Sequence, residues 1–504
     1  MPVRVADLRL VPAALAAWAG AAAVVALTAR GALVVAGVAA AGALACALIC
    51  TLARGRGDRR PWARAGAGQV VLVLAVVAVV AAAGAVQLHE RGSGPLADLA
   101  RQRATVRLVG VVRSAPVPIA SPWGWGGGTR YRLELAAEQV SGRGRAGPAA
   151  APVLVFAGAG WQHAAYGARL EVSGTLAPST PGDSMLALVT ARAGPRVLAP
   201  PGAVDRAVGA IWADLRAVAA PLAPDARGLV PGIAVGDTSR LPADLDAAMR
   251  VAGLTHVTAV SGAHFAIIGA AVLGVAAAVG LPRRARVVAA AAALGGLLVL
   301  VHAEPSVLRA AAMGSVGLAG LVVGRPSRAL PALGATVIAL LVMDPWLGRD
   351  PGFALSVLAT AGIVQLTEPL SRRISGGVLG DRAGYAIAVP IAAQAACAPV
   401  IILLNPALAT YAVPANLAVA PALAPATVFG VLTALVAPWW PAAAAVLVLP
   451  AGAAAWWIAA VARAVAGLPA AQLPWPGGFA GALALAGLTV AAALAVRRLG
   501  ARAP

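Results

Sequence analysis

The chain has 504 residues, of which 60% are hydrophobic and only 12% are charged, and its mean hydropathy is +0.85. This composition excludes an ordinary soluble globular protein, in which about a quarter of the residues are charged, and it predicts a polytopic α-helical membrane protein. The 39 basic residues are all arginine and exceed the 19 acidic ones by 20. The absence of lysine excludes a P-loop ATPase motor, because that phosphate-binding loop needs a lysine.

The first 88 residues are predicted to hold three transmembrane helices. Apolar stretches cover residues 11–29, 31–52 and 69–88, and about 20 such residues cross the hydrocarbon layer. Five arginines between the second and third stretches place that connection in the cytoplasm by the positive-inside rule. The N-terminus is therefore expected in the cytoplasm, as a signal anchor, and the third helix is expected to emerge outside the cell near residue 89.

Residues 89–203 show β-strand signals in place of membrane character. Apolar residues alternate in residues 106–112 and 131–135, and short β-prone runs occupy residues 152–156, 169–176 and 185–190, with turn-rich breaks between them. Five strands of this length predict a small extracytoplasmic β-barrel. An OB-like fold is one candidate, although the pattern does not distinguish it from another β-barrel.

The same domain is basic, with twelve arginines from Arg91 to Arg196 against six acidic residues. An arginine-lined groove with aromatic platforms binds single-stranded nucleic acid with little sequence preference, through phosphate neutralisation and base stacking. The candidate contacts are Trp123, Trp125, Arg130, Tyr131 and Arg132, with Phe156 and Trp161 as further aromatic residues. The alternative is that the tryptophans lie at the membrane interface or fill the barrel.

Residues 204–250 are predicted to form helices that lie along the outer membrane surface. A proline-bounded amphipathic stretch contains Trp212, and residues 229–249 follow it; neither is long and apolar enough to span a membrane. Asp237 ends the sequence Gly-Ile-Ala-Val-Gly-Asp. We expect it to cap a helix or turn the chain, with a role at a channel entrance as the alternative.

The remaining residues are predicted to form nine spans, in a core at 251–437 and a C-terminal part at 438–504. The spans cover residues 257–280, 287–302, 306–324, 330–343, 353–370, 385–404, 411–437, 442–466 and 479–496. Arginine clusters fall on every second connection, which places those connections and the C-terminus in the cytoplasm. The expected total is about twelve spans, of which residues 330–343 and 405–437 are alternatively re-entrant.

The most unusual stretch, residues 253–265, carries two histidines and three hydroxyl groups at the start of an apolar run. Polar groups at membrane depth are unfavourable unless they face protein or water, so they mark a candidate functional site. Thr255, Thr258, Ser261 and His264 recur at steps of three, which on a helix predicts one polar stripe. The alternatives are hydrogen bonding between helices, a metal site or a serine hydrolase, but no acid or further metal ligand lies nearby in the sequence.

Residues 252–265 resemble the signature of the ComEC-type competence proteins, in which a Gly-Leu pair, a histidine and a Ser-Gly-x-His group occur at this spacing. Similar elements follow in the family's order: 305–313 (Pro-Ser-Val-Leu-Arg-Ala-Ala-Ala-Met), 343–345 (Met-Asp-Pro), 352–356 (Gly-Phe-Ala-Leu-Ser), Gln394 with Pro399, and 414–417 (Pro-Ala-Asn-Leu) with Pro421. Each element alone is weak, and their order and spacing together carry the resemblance, which covers most of residues 228–430.

The resemblance implies an inner-membrane channel with an OB-like outer domain that carries single-stranded DNA into a bacterium during natural transformation. The residues expected along the DNA path are His256, Thr258, Ser261, Gly262, His264, Arg309, Gln394 and Asn416, with no catalytic residue, metal or cofactor. Arg309 is expected to pair with Glu304 or to contact phosphate.

The implied partners are membrane lipid, a DNA receptor protein, a cytoplasmic DNA-translocating ATPase and a separate nuclease. A separate nuclease is expected because the sequence stops at Pro504 without the metallo-β-lactamase-like domain of many family members, and its five histidines include no His-x-His-x-Asp-His run. Two other functions remain open. A transporter of a small or lipid-linked solute would favour internal repeats, which the span pattern does not show, and an intramembrane enzyme would use Ser261 as a nucleophile.

Overall fold

A computed structural model describes residues 8–55, 61–119, 129–258, 260–302, 307–308, 311–312, 329–375 and 380–500. The chain forms two compact units, one of residues 1–209 with 337–350 and the other of residues 210–336 with 351–504. In the described residues, the first unit contains the N-terminal helices and a β domain, and the second is helical apart from a small sheet of β8 (Ala407–Ala409) and β9 (Gln472–Pro474).

Three helices open the first unit: α1 (Val11–Val24), α2 (Ala29–Gly55) and α3 (Pro61–Gly92). Both α1 and α2 pack against α3. The buried residues Ala13, Ala17 and Ala21 repeat every four positions along one face of α1, and small residues of this kind let helices approach closely. The first predicted span is shorter than expected, because α1 ends at Val24 and the chain turns before α2.

The β domain begins with α4 (Leu96–Arg101), and its described residues form seven strands: β1 (Thr105–Val112), β2 (Val117–Ile119), β3 (Arg130–Gly142), β4 (Arg145–Ala157), β5 (Arg169–Pro178), β6 (Ala187–Ala191) and β7 (Arg196–Ala199). The five strands predicted from the sequence correspond to β1, β3, β4, β5 and β6 and are confirmed. Their alternating apolar residues, such as Leu108, Leu133 and Val155, form the buried core of the domain. The short strands β2 and β7 were not predicted.

The five long strands form a continuous hydrogen-bonded path that returns to its start, in the order β1-β3-β4-β6-β5 with β5 paired again to β1. All pairs are antiparallel except β4 with β6. The spatial order β5-β1-β3-β4 places the fourth of these strands beside the first, which is the arrangement of a Greek key.

The turn Pro345–Arg349 ties the β domain to the N-terminal helices within the first unit. Arg349 donates to a backbone carbonyl of α1 at 2.7 Å. Arg91, near the end of α3, stacks on the Trp346 ring at 3.3 Å and donates to the carbonyl of Ser184 in the β5–β6 connection at 2.8 Å. The Asp-Pro element of the sequence therefore has a structural role in this unit.

The second unit is built from helices, of which α5 begins in the first unit and α10 ends there. They are α5 (Ala203–Ala219), α6 (Pro224–Val235), α7 (Ala243–Val251), α8 (Gly262–Ala278), α9 (Arg283–Leu300), α10 (Ala329–Met343), α11 (Pro351–Ser375), α12 (Asp381–Leu404), α13 (Ala412–Val436), α14 (Pro441–Ala466) and α15 (Gly478–Gly500). The closest pairs are α11 with α12 and α13 with α14, while α6 and α7 pack on α14.

Seven described helices are long and apolar enough to cross a membrane: α2, α3, α11, α12, α13, α14 and α15. Three shorter apolar helices, α1, α8 and α10, correspond to further predicted spans. The predicted span at 306–324 lies outside the described residues, apart from residues 307–308 and 311–312. The chain is therefore polytopic, while the total of about twelve spans and the orientation of the termini stay predictions.

Residues 204–250 form α5, α6 and α7. In α6, every residue from Gly228 to Val235 is buried. This helix packs closely on α13, because a Cβ added to Gly430 of α13 would lie 3.0 Å from the Cβ of Ala234. Trp212 of α5 donates its indole N–H to the Leu300 carbonyl at 2.9 Å. The interfacial location predicted for these helices stays a prediction.

Candidate functional site

The polar residues between positions 255 and 264 do not lie on one helix. Thr255–Val257 form a 3₁₀ turn, Ser261 is extended, and α8 begins only at Gly262. The single helical stripe predicted for this segment is therefore wrong. The step of three residues instead fits the 3₁₀ turn, where residues i and i+3 are aligned, followed by the N-terminal cap of α8.

Ser261 and His264 cap the N-terminus of α8 reciprocally. The Ser261 backbone N–H donates to Nδ1 of His264 at 3.0 Å, and the Ser261 side chain accepts from the His264 backbone N–H. This is a capping box in which histidine replaces the usual Glu or Gln. The 3.1 Å separation of Ser261 Oγ from Nδ1 is thus explained by helix capping, which leaves the serine-hydrolase alternative without support from the geometry.

The capping bond also determines where the His264 ring carries its proton. Because Nδ1 accepts the Ser261 N–H, the neutral ring is protonated at Nε2. His264 is only 1% exposed, and its Nε2 has no hydrogen-bond partner among the residues that the structure describes. A buried hydrogen-bond donor is therefore held at the first turn of α8.

His256 lies in the 3₁₀ turn before α8, is exposed, and is close enough to His264 for their charges to interact. Its ring interacts with the Asn416 side chain at the start of α13 and with the backbone of Gly253. Asn416 Nδ2 donates to the Ala412 carbonyl at 2.8 Å. Gly253 has φ +71°, and an added Cβ would lie 2.9 Å from the Cβ of Ala412, so only glycine permits this close approach of the turn to α13.

The structure thus brings together five of the predicted path residues: His256, Ser261, Gly262, His264 and Asn416. Thr258 is close in the chain, but its hydroxyl donates to the Thr255 carbonyl at 2.9 Å and stabilises the local turn. Gln394 lies half-buried in α12, a helix that packs on α13. Arg309 and its expected partner Glu304 lie outside the described residues.

A buried ion pair supports this cluster and was not predicted from the sequence. Arg216 of α5 donates to Oδ2 of Asp237 at 2.9 Å, and the Asp237 side chain is only 3% exposed. The other oxygen of Asp237 accepts the Ser239 N–H at 3.1 Å, so the predicted turning role of Asp237 is confirmed. This turn begins at Gly236, where an added Cβ would lie 3.7 Å from Val260.

A second ion-pair network joins three helices of the same unit. Arg463 of α14 forms two 2.8 Å hydrogen bonds to the carboxylate of Asp225 in α6 and one of 2.7 Å to Asp244 in α7. The hydrogen bond from Arg463 lowers the pKa of the Asp244 carboxyl. A bidentate contact of this kind fixes orientation as well as distance, and it holds α6 and α7 on α14.

The outer-domain candidates separate into exposed and packed residues. Arg130 and Arg132 at the start of β3 are exposed, and Arg132 lies close enough to the half-buried Glu134 on the same face of the strand for their charges to interact. Tyr131 is half-buried and packs against the domain core. Arg132 is paired across strands with Phe156 of β4, which is half-buried, so both side chains belong to the outward face of the sheet.

The remaining outer-domain aromatics fall into two groups. Trp123 and Trp125 lie outside the described residues. Trp161 is 1% exposed, belongs to the domain core and donates its indole N–H to the Ala193 carbonyl at 2.9 Å. The alternative that a tryptophan fills the domain interior is therefore confirmed for Trp161.

Another face of the β domain is neutralised by its own salt bridges. Glu171 lies 3.6 Å from Arg107 and 3.8 Å from Arg196, and Glu138 pairs with Arg169 at 2.7 Å. Arg107, Glu138 and Glu171 line a shallow groove of about 580 Å³. Arg130 and Arg132 lie outside this groove, at the start of β3.

Comparison with known proteins shows that the site lies within the part of the chain that matches a protein family. A family model described as "Competence protein" matches residues 233–499, more than half of the chain. The chain is 28% identical over 215 residues to ComE operon protein 3 of Bacillus subtilis (strain 168), a match that covers 42% of this chain and 27% of that relative. The matched part is thus about a quarter of the relative's length. No solved structure matches the chain.

Proposed function

The chain belongs to the competence protein family, and we propose that it is a channel through which single-stranded DNA crosses the membrane during natural transformation. The observation that carries this proposal is the polar segment at the start of α8, where His256 in the preceding 3₁₀ turn and Gly262 are exposed and His264 is buried. All three residues lie within the segment that matches the family. Polar groups at the start of an apolar helix are favourable where they line an aqueous route.

The chemistry of this turn suits a polyanion that must keep moving. Its hydrogen-bond donors are imidazoles and backbone N–H groups, with no acidic residue in the first turn of α8. Conduction requires sites that attract the permeating species weakly enough to release it. Neutral donors of this kind contact phosphate or base oxygens without the strong charge pairing that a row of arginines would provide.

The β domain supports the entry side of the same route. Its returning strand path and Greek-key order support an OB-like barrel, whose second and third strands form the usual oligonucleotide-binding face. In this chain those strands are β3 and β4, which carry Arg130, Arg132 and Phe156. We therefore assign the first contact with the incoming strand to this face, by phosphate pairing and base stacking.

The proposal places the β domain outside the bacterial inner membrane and both termini in the cytoplasm. A DNA receptor would deliver the strand, a separate nuclease would remove its complement, and a cytoplasmic ATPase would draw it in. The support for these partners is the family membership and, for the orientation, the arginine-rich connections of the sequence.

Deleting the gene in its host tests the proposed function. Transformation by both linear and plasmid DNA is expected to fall to the background of the assay, while DNA still binds to the cell surface, and a plasmid copy of the gene is expected to restore it. Unchanged transformation in the deletion strain would contradict the proposal. Loss of a solute's uptake with normal transformation would point to the transporter alternative.

A further inference from the structure

An apolar groove lies between α11 and α15 in the second unit, and we call it the α11–α15 groove. It has a volume of about 370 Å³, and its lining includes Leu366 and Leu370 of α11, Ala395 of α12, and Thr489 and Ala492 of α15. The helix α12 packs on both α11 and α15 and so joins the two walls. A volume in this range is typical of a ligand site.

The lining of the groove suits a hydrocarbon chain. Among its described residues the one side-chain hydroxyl belongs to Thr489, and it already donates to the Leu485 carbonyl at 2.9 Å. Leu488, which also lines the groove, is 58% exposed, so the groove is accessible from outside the unit. All three helices are long and apolar enough to cross a membrane. The groove therefore faces lipid, and an acyl chain can fill it by apolar contact alone.

Small side chains keep the groove open. Ala395, Ala492 and Ala493 present only methyl groups to it, whereas a leucine or phenylalanine at these positions would occupy part of its volume. Membrane helices commonly use such small residues to approach each other closely. Here α11 and α15 do not close on these alanines, so the space is left for another molecule.

An arginine lies at one end of the groove. Arg373 follows Leu366 by seven residues and Leu370 by three, so the three residues share one face of α11. In an α-helix a long side chain leans toward the preceding turn, over the residues three and four positions before it. For Arg373 these are Leu370 and Pro369, which both line the groove. The Arg373 backbone is about 4.5 Å beyond Leu370 along the helix axis.

Arg373 needs an anion that the described residues do not supply. Its Nη1 is buried and has no hydrogen-bond partner among them. A guanidinium stays protonated in proteins, and a buried charge without a counter-ion is unfavourable. Glu368, the acidic residue of α11, is already bonded to the exposed Arg372 at 2.9 Å. At the start of α12, Asp381 and Arg382 are both exposed and balance each other in charge.

The end of the groove that carries Arg373 lies near the ends of two membrane-spanning helices. α11 ends at Ser375 and α12 begins at Asp381. In the second turn of α12, Tyr385 is 52% exposed, and exposed tyrosines near helix ends are typical of the headgroup level. A guanidinium at this level is within reach of a lipid phosphate.

We propose that the α11–α15 groove binds an anionic phospholipid, with an acyl chain along the apolar lining and the phosphate on Arg373. Basic residues beside pockets between transmembrane helices bind such headgroups. A zwitterionic lipid is disfavoured because its ammonium would lie beside two consecutive arginines, Arg372 and Arg373. The site is separate from the proposed DNA path, and the bound lipid would join α15 to α11.

Lipid binding to the full chain tests the headgroup contact. Native mass spectrometry in detergent micelles gives the affinity of the first bound dioleoyl phosphatidylglycerol or dioleoyl phosphatidylcholine. Phosphatidylglycerol should bind at least roughly fivefold more tightly, and Arg373→Gln should weaken its binding by roughly fivefold. Arg372→Gln removes the same charge from a residue already paired with Glu368 and should stay within about twofold of the wild type. Equal affinity of the wild type for both lipids, or unchanged phosphatidylglycerol binding in Arg373→Gln, would overturn the proposal.

Ala492→Phe tests the acyl-chain contact, because the ring would fill the groove while both arginines remain. Its affinity for phosphatidylglycerol should fall at least roughly fivefold. Val490→Phe is the matched control, since Val490 is 57% exposed on the same helix and does not line the groove, and it should stay within about twofold. Thermal unfolding without added lipid checks that both variants are folded.

Unchanged phosphatidylglycerol affinity in Ala492→Phe would show that the lipid does not enter the groove and would overturn the proposal. Size-exclusion chromatography with light scattering covers another occupant. If Ala492→Phe dissociates a dimer and leaves lipid binding unchanged, the groove holds a helix of a second copy of the chain, and the assignment to lipid is wrong.

Discussion

Arg216→Met is expected to destabilise the second unit by about 3 kcal/mol, because it leaves the buried Asp237 carboxylate without its partner. Asp237→Asn is expected to be milder, about 1 kcal/mol, since Asn still accepts the Ser239 N–H and the Arg216 side chain is 29% exposed and can reach water. The two single variants are expected to differ in stability because the Asp237 side chain is more deeply buried than the Arg216 side chain.

Thermal unfolding in detergent micelles measures both effects, and the double variant completes the cycle. Arg216→Met with Asp237→Asn should recover most of the loss of the Arg216→Met variant, because no charge then remains buried alone. Equal losses in the two single variants, with an additive double variant, would show that the pair is not coupled. The Arg216→Met variant should also transform poorly, since the turn at Gly236 packs on Val260 beside the polar first turn of α8.

Replacing both Arg130 and Arg132 by Gln is expected to weaken binding of a single-stranded 20-mer to the full chain in nanodiscs by roughly tenfold or more. Each arginine that contacts a phosphate contributes about 0.7 to the slope of log affinity against log salt on a single strand, so the slope should fall by about 1.4. Fluorescence anisotropy at several salt concentrations gives both quantities. Transformation should fall in parallel.

The matched control removes two arginines from another part of the same domain. Arg101 and Arg145 both pair with Asp98 and are 71% and 59% exposed, so replacing both by Gln changes the net charge by the same amount. This control is expected to bind the oligonucleotide within about twofold of the wild type, since surface ion pairs contribute little. If the two double variants lose the same affinity, only net charge matters, and the assignment to the face of β3 and β4 is wrong.

The strands of the β domain could be predicted because one face of each strand is buried. The alternation of apolar and polar residues places Val106, Leu108 and Val112 on the buried face of β1, and such a pattern is visible in the sequence. The order of the strands is not visible, because it depends on pairings between residues far apart, such as Thr105 with Thr175. The short strand β7 carries exposed Val197 and Leu198, so it has no alternating pattern to find.

Five of the eight predicted path residues lie together in the structure, but the shape of the segment that carries most of them was not predicted. A step of three was interpreted as a helical stripe, whereas the chain forms a 3₁₀ turn and then begins α8 at Gly262. The signal that could have shown this is Ser261 followed three residues later by a side chain able to accept a hydrogen bond, which is the spacing of a capping box. It was missed because histidine occupies the position of the usual Glu or Gln.

The supporting ion pairs could not be found from the sequence. Arg463 and Asp225 are 238 residues apart, and nothing local to either residue indicates the other. Arg216 lies in an amphipathic helix where an exposed arginine is ordinary. Such contacts depend on how α5, α6, α7 and α14 pack, and their main consequence is to position the segment that leads into α8.

The most direct test of the central claim is photocross-linking of incoming DNA during transformation. A benzophenone amino acid placed at Gly262 should cross-link to radiolabelled transforming DNA, because the first turn of α8 is proposed to face the strand. The same probe at Val275, which is 65% exposed farther along α8, should give little or no DNA adduct. Cross-linking at Val275 but not at Gly262, in cells that still transform, would contradict a DNA path along the first turn of α8.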